Sequence, residues 1–173
     1  MIKGAGPASD GRESEEMVQG TIEAIFVAGK GGDPMQRVEE AEAVKDGGLR
    51  GDRYMERAGY WTNVDECQVT LIAGETLDRI ASGTSVKVQA GEHRRNIVTR
   101  GIDLMSLVGK RFQVGAAELV FDRPRPPCGY IQTITEKGMT KALGGFNGGI
   151  CARVLTDGVI RPGDTIDLSD VTG

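Results

Sequence analysis

Apolar residues in this chain come in short, β-branched runs cut off by glycine, and that rhythm limits the fold more than any other feature. Residues 21–27, 68–72, 96–99 and 165–168 each read as one strand. Residues 111–114 and 117–121 read as two arms of a hairpin about Gly115. Asp157-Gly158 stands between residues 152–156 and 159–160, the pattern of a tight hairpin turn. Residues 37–45 are acidic with little apolar face, so strand and exposed loop are equally tenable there. Helical spacing is scarce. Leu77, Ile80 and Ala81 share one face over residues 74–81, and Ser82-Gly83 ends that segment. Asp103 caps a turn over residues 103–107, and residues 139–143 form a short helix closed by Gly144-Gly145. Seven or more strands with two or three short helices predict a mainly β fold. A closed or nearly closed antiparallel β-barrel suits it, because closure removes exposed strand edges.

Residues 1–19 lie outside this pattern. They are rich in Gly, Ser and acids and nearly devoid of apolar groups, so burial cannot offset their ordering entropy. They read as a disordered lead-in to one domain over residues 20–170. The stretch has no apolar h-region, and its acidity does not suit a mitochondrial transit peptide. No apolar run in the chain approaches membrane-spanning length. The net charge of −4 argues against a nonspecific nucleic-acid binder. Between Gly91 and Cys128, however, seven Lys/Arg face four acids, a local basic excess suited to a small anionic ligand. The cysteines are Cys67, Cys128 and Cys151, an odd number without CxxC spacing, and His93 is the sole histidine. Neither a zinc site nor a disulfide scaffold is expected, and a reducing cytoplasm is the natural compartment.

One run concentrates chemistry: Arg123-Pro124-Arg125-Pro126-Pro127-Cys128-Gly129. Proline stiffens the backbone ahead of the cysteine, and Gly129 admits close approach after it. Two arginines supply fixed positive charge that favours a thiolate at Cys128. Such a cysteine suits sulfur transfer or a soft metal. A turn holding an inert, packed cysteine is the plainer alternative.

Other segments accompany this run in a set order. They are Gly48-Leu49-Arg50-Gly51-Asp52-Arg53-Tyr54, the stretch from Gly91 to Leu104 containing His93-Arg94-Arg95-Asn96, Gly148-Gly149-Ile150-Cys151-Ala152-Arg153-Val154, and Gly158-Val159-Ile160-Arg161-Pro162-Gly163-Asp164. Together they resemble the MOSC domain, named after the C-terminal domain of molybdenum cofactor sulfurases, from about Gly20 to Leu168. The resemblance implies a compact β-barrel whose shared cysteine, here Cys128, carries sulfur as a persulfide or ligates the molybdenum of a bound molybdenum cofactor. Pyridoxal phosphate belongs to desulfurase modules fused to some members and is not expected here. Family members often carry histidine where this chain has Tyr54.

The resemblance and the residue chemistry give the same candidate site. Cys128 is the catalytic sulfur or molybdenum ligand, and Arg95, Asn96, Arg123, Arg125 and Asp52 are candidate cofactor-binding residues. Guanidinium groups suit a phosphate, and one thiolate suits a soft metal. Alternation along an extended segment puts at most one of Arg94 and Arg95 in any pocket. Arg123 and Arg125, two apart, share a face, and Asp52 orients an arginine or caps a turn. Cys67 and Cys151 read as packing residues, His93 as a surface residue and Trp61 as a core or rim aromatic. Three functions compete. One is a molybdenum-cofactor-binding or sulfur-carrier domain, as an enzyme either a sulfurtransferase or a reductase of N-hydroxylated compounds. Another is a non-catalytic delivery module docking on a cysteine desulfurase or molybdoenzyme. The third is a thiol-redox protein, with a Cys128–Cys151 disulfide as its mark.

Overall fold

Strand runs bounded by turn residues are the main regular structure in the computed structural model, which describes residues 19–59 and 66–169. In chain order the elements are β1 (Gln19–Val27), β2 (Gln36–Val38), β3 (Ala41–Val44), β4 (Gly48–Leu49), β5 (Val69–Ala73), α1 (Gly74–Gly83), β6 (Ile97–Arg100), β7 (Arg111–Val114) and β8 (Ala117–Pro124). There follow α2 (Gly129–Ile134), α3 (Met139–Ala142), β9 (Ile150–Thr156), β10 (Gly158–Ile160) and β11 (Thr165–Leu168). The acidic stretch thus forms β2 and β3. Trp61 and residues 1–18 lie outside the described residues.

The strands β1, β6, β5, β9, β8, β7 and β11 are hydrogen-bonded in that order, and β11 pairs back with β1 to close a seven-stranded barrel. Every pair is antiparallel except β5–β6. A parallel pair needs a crossover, and α1 lies on the connection between these strands. A smaller sheet, β10–β3–β4, packs beside the barrel.

Alternation fills the barrel. Val69, Leu71, Ile97, Phe112, Val114, Leu119, Ile150, Ala152, Val154 and Ile166 belong to one buried cluster. A second cluster lies on the other face of the β1–β5–β6 wall, where Phe26, Ile72 and Val98 meet Leu77 and Ile80 of α1 and Ile131, Met139 and Leu143. A wall buried on both faces explains why β5 is buried along four successive residues, with Thr70 the one polar side chain among them. Within β1 a register shift between Ile22 and Ala24 resets the alternation. Ile22 and Ile25 therefore join the interior, while Ala24 and Phe26 serve the outer cluster.

Most local expectations match. The β7–β8 hairpin turns at Gly115, whose φ is +55°, and the Asp103 carboxylate accepts from Met105 N at 3.0 Å. Ala81 is exposed, so the buried stripe of α1 is narrower than its spacing implies. The hairpin expected at Asp157-Gly158 does not form. Neither residue has the positive φ that a type I′ turn needs, and β10 pairs with β3 instead of β9. Asp157 instead accepts from Lys45 N at 2.6 Å, tying the chain to the smaller sheet.

Candidate functional site

The proline run leaves β8 and crosses to α2. Arg125 N donates to Gly149 O at 2.8 Å, so one ladder bond survives beyond the strand. Gly148 and Gly149 permit this approach: a Cβ on Gly148 would strike Arg125 O, and one on Gly149, at φ +86°, would strike Leu71 O. Cys128 occupies the residue before α2 in extended conformation and is half-buried. Its carbonyl accepts from Thr140 Oγ1 at 3.1 Å and from Ile131 N at 3.2 Å, which fixes it against the next helix.

Cys128 lines a cleft of about 60 Å³ with Arg53, Tyr54, Arg94, Arg95, Arg125, Tyr130, the two prolines before it, and Gly31, Ile131 and Ile134. None of these described lining residues carries a carboxylate. Larger grooves exist, such as one of about 420 Å³ beside Phe146, but that one contains a single arginine and no cysteine. Chemistry, not volume, singles out the smaller cleft.

Each guanidinium is held differently. Arg95 is 4% exposed and is satisfied by carbonyls alone, with Nε donating to Gly148 O at 2.7 Å and Nη2 to Arg125 O at 3.2 Å. Burial, followed by repulsion from Arg125, brings its pKa down to about 10 despite some relief from Tyr54. Arg94 donates through Nη1 to Asp33 O, and burial with repulsion from Arg53 lowers its pKa as well. Arg53 donates to Asp52 Oδ1 at 3.1 Å and to Arg94 O at 3.0 Å. Its guanidinium lies 4.5 Å from the centre of the Tyr54 ring, and that of Arg125 lies 5.8 Å from it. Arg125 also donates to Tyr54 Oη at 3.1 Å.

The structure therefore brings Cys128, Arg95 and Arg125 together and places the other candidates elsewhere. Asn96 is fully buried inside the wall: Oδ1 accepts from Thr70 N at 3.0 Å, and Nδ2 donates to Phe26 O at 3.1 Å. It joins β1, β5 and β6 and does not line the cleft. Asp52 is buried one layer back, where it accepts from Ala28 N and Tyr54 N and holds Arg53, so it both caps a turn and orients an arginine. Arg123 pairs with Asp122 at 2.5 Å and lines a neighbouring groove of about 400 Å³. The register shift between Phe121 and Arg123 and the proline that follows break the shared face expected for Arg123 and Arg125.

Two expectations are corrected. Both Arg94 and Arg95 line the cleft, because Arg94 has φ +67° and ordinary alternation fails in the turn from Gly91. His93 is not a surface residue. It is fully buried, accepts from Arg95 N through Nδ1 at 2.8 Å, and meets Phe26 edge-on with ring centres 5.3 Å apart. Burial, with Arg95 and Arg94 adding repulsion, pushes its pKa down to about 3. Arg53 and Tyr54 were not among the expected site residues; the signal for them was the Gly51-Asp52-Arg53-Tyr54 string, where Asp52 was taken as a candidate and Tyr54 was noted only as replacing a histidine. Cys67 and Cys151 are both buried, and neither lines the cleft with Cys128.

Residues 58–167 match the MOSC domain family. The chain belongs to that family. Cys128, Arg94, Arg95 and Arg125 fall inside the matched span, while Asp52, Arg53 and Tyr54 lie just before it. Solved structures share the fold. YuaD from Bacillus subtilis has a TM-score of 0.69 at 19% identity, over 87% of this chain and 95% of its own. YiiM from Geobacillus stearothermophilus has a TM-score of 0.66 at 20% identity, over 87% and 75%. YiiM from Escherichia coli has 0.61 at 18%, over 88% and 71%. No curated protein matches the sequence. MOSC domains are associated with the molybdenum cofactor. Among the described residues, no helix of this one is long and apolar enough to cross a membrane.

Proposed function

We propose that this MOSC domain binds the anionic, metal-bearing end of the molybdenum cofactor in the arginine cleft, with Cys128 as the soft ligand. One observation carries the reading: a half-buried cysteine shares a cleft with four arginines, and none of the described lining residues carries a carboxylate. Arginines held by carbonyls and aromatic rings, with Asp52 one layer back against Arg53, leave the cleft positive, and an oxoanion or phosphate answers that charge with directed hydrogen bonds. The donor set fits the group. Arg53, Arg94, Arg95 and Arg125 would hold its anionic part, and the Cys128 sulfur would face the metal. A cleft of about 60 Å³ takes a phosphate or an oxo-metal head, so the pterin would extend beyond it. When bound, the metal supplies oxygen-atom and two-electron chemistry. Asp52 fixes Arg53, and the Thr140 contact fixes Cys128, before any ligand arrives.

The same small volume favours a second reading, in which Cys128 carries one added sulfur as a persulfide for a desulfurase or molybdoenzyme partner. Mass spectrometry and metal analysis of freshly purified protein separate the two. Molybdenum that vanishes in Cys128→Ser supports the first reading, and a sulfur adduct of about 32 Da at Cys128 supports the second. Metal and sulfur loads that are identical in wild type and Cys128→Ser would remove both. Turnover of an N-hydroxylated base by loaded protein with an electron donor would mark a reductase; its absence would mark a delivery module.

A further inference from the structure

The head and the body of such a ligand cannot share one cavity. The cleft around Cys128 is about 60 Å³. Ligands with a ring system occupy pockets of roughly 300–1,000 Å³. Tyr54 shows where the body has room, because it is the one described residue that lines both the cleft and the neighbouring groove of about 400 Å³. That shared wall is held firmly. Tyr54 N donates to Asp52 Oδ2 at 3.2 Å, the Arg53 guanidinium lies over the ring, and Arg125 donates to Oη at 3.1 Å. The groove beside Phe146 shares no described lining residue with the cleft.

The two adjoining cavities differ in charge. The cleft has four arginines and no carboxylate among its described lining residues. The groove sets Asp46, Glu66 and Asp122 against Arg57, Arg123 and Arg153. An anion gains little from so balanced a lining, whereas an uncharged ring with donors and acceptors along one edge gains from both signs. Asp122 and Arg123 bring the two kinds of group together. Neighbours on a regular strand face opposite ways. The register shift between Phe121 and Arg123 cancels that rule, so both side chains line the groove, with Arg123 Nη1 2.5 Å from Asp122 Oδ2. They are 39% and 28% exposed, which leaves the pair within reach of a ligand.

We propose that this groove is the second half of the ligand site: it takes an uncharged heteroaromatic ring with a 2-amino-4-oxopyrimidine edge, as a pterin has, and the Asp122–Arg123 pair reads that edge. The adjacent amino and ring N–H donors match the two oxygens of one carboxylate, each of which has a lone pair to spare beyond the ion pair. The ring carbonyl beside them accepts from the guanidinium. Tyr54 is the step that the ligand crosses between head and body. Arg123 therefore binds the ligand after all, at its ring and not at its anionic end. The position of the head rests on the cleft reading given above; the position of the ring is tested separately from it.

The test measures three probes on the native full-length chain: inorganic phosphate by calorimetry, and neopterin and neopterin monophosphate by fluorescence anisotropy. Neopterin monophosphate should bind about tenfold or more tighter than phosphate, the worth of one bidentate charge-assisted contact. In Asp122→Asn that advantage should shrink to less than about threefold, while phosphate binding does not weaken. Arg123→Ala, which removes the donor to the ring carbonyl, should shrink it as well, and it decides where Asp122→Asn disturbs β8. Equal affinity for phosphate and neopterin monophosphate in wild type overturns the proposal and leaves the cleft reading standing. An advantage kept in both variants also overturns it. If phosphate fails to bind while neopterin binds and is lost in Asp122→Asn, the groove stands and the cleft reading falls. If no probe binds, both fall.

Discussion

Arg100 and Arg95 lie five residues apart on one stretch of chain and meet opposite fates. Arg100 is at the rim of the barrel, where Nη2 lies 2.5 Å from Glu23 and Nη1 lies 2.7 Å from Asp78. Those two carboxylates, Asp78 foremost, raise its pKa. Arg95 is buried at the cleft, touches only carbonyls, and has its pKa lowered to about 10. The fold has carboxylates at hand and places them where water already stabilises the charge. Beside Arg95, where charge is costly, the described residues place none, and Asp52 pairs with Arg53 from one layer back, so the buried charge at Arg95 is left for a ligand to answer. The comparison separates an arginine that holds the fold from one held by the fold for use.

The strongest way to break that contrast is Arg95→Ala. Removing the side chain orphans the carbonyls of Gly148 and Arg125, so stability should fall by about 2–4 kcal/mol in urea unfolding. Phosphate affinity should drop by roughly tenfold to a hundredfold, the worth of a lost charge-assisted hydrogen bond. Unchanged phosphate binding would make Arg95 a structural residue like Arg100.

A smaller effect sharpens the same contrast through His93, which props Arg95 N from below. Its folded pKa, about 3, is depressed from the ordinary value near 6.5. Between those values the unfolded chain holds the extra proton, so stability is fully present above about 6.5 and declines as pH falls toward 3. The slope from this group is about 1.4 kcal/mol per pH unit in that window. His93→Asn keeps an acceptor for Arg95 N but cannot titrate, so its unfolding free energy should change less than wild type's between pH 7 and pH 5. Parallel curves would show that His93 is protonated in the folded protein.

How far the chain could be read without coordinates follows the range of the interactions involved. Strand runs, the Gly115 hairpin and the Asp103 cap are local, and they were legible. So was the ordered set of motifs around Cys128. The β10 pairing with β3 was not, because Asp157-Gly158 has hairpin composition and the competing partner lies far away in sequence. Arg94 was lost to a single positive φ, which no alternation rule carries. Asn96 has the chemistry of a ligand residue, and only the meeting of β1, β5 and β6 shows its amide fully used. Cys67 and Cys151 have no spacing motif, and both were read as packing residues, which suits their burial.

Arg100→Ala is the counterpart with the least effect. The Arg100 side chain is 37% exposed, and Glu23 and Asp78 are 43% and 52% exposed, so water and salt already screen all three charges. Despite two close contacts, the loss should be below about 1 kcal/mol in low salt and should shrink further as ionic strength rises. Phosphate binding at the cleft should not move, since no lining residue is touched. The decisive readout is the pair of variants together. Arg95→Ala should lose both stability and anion affinity, Arg100→Ala only a little of the first. Were Arg100→Ala to weaken phosphate binding as much as Arg95→Ala does, the positive field would belong to the whole surface and not to the cleft, and the absence of carboxylates among the described lining residues would cease to point to a bound anion.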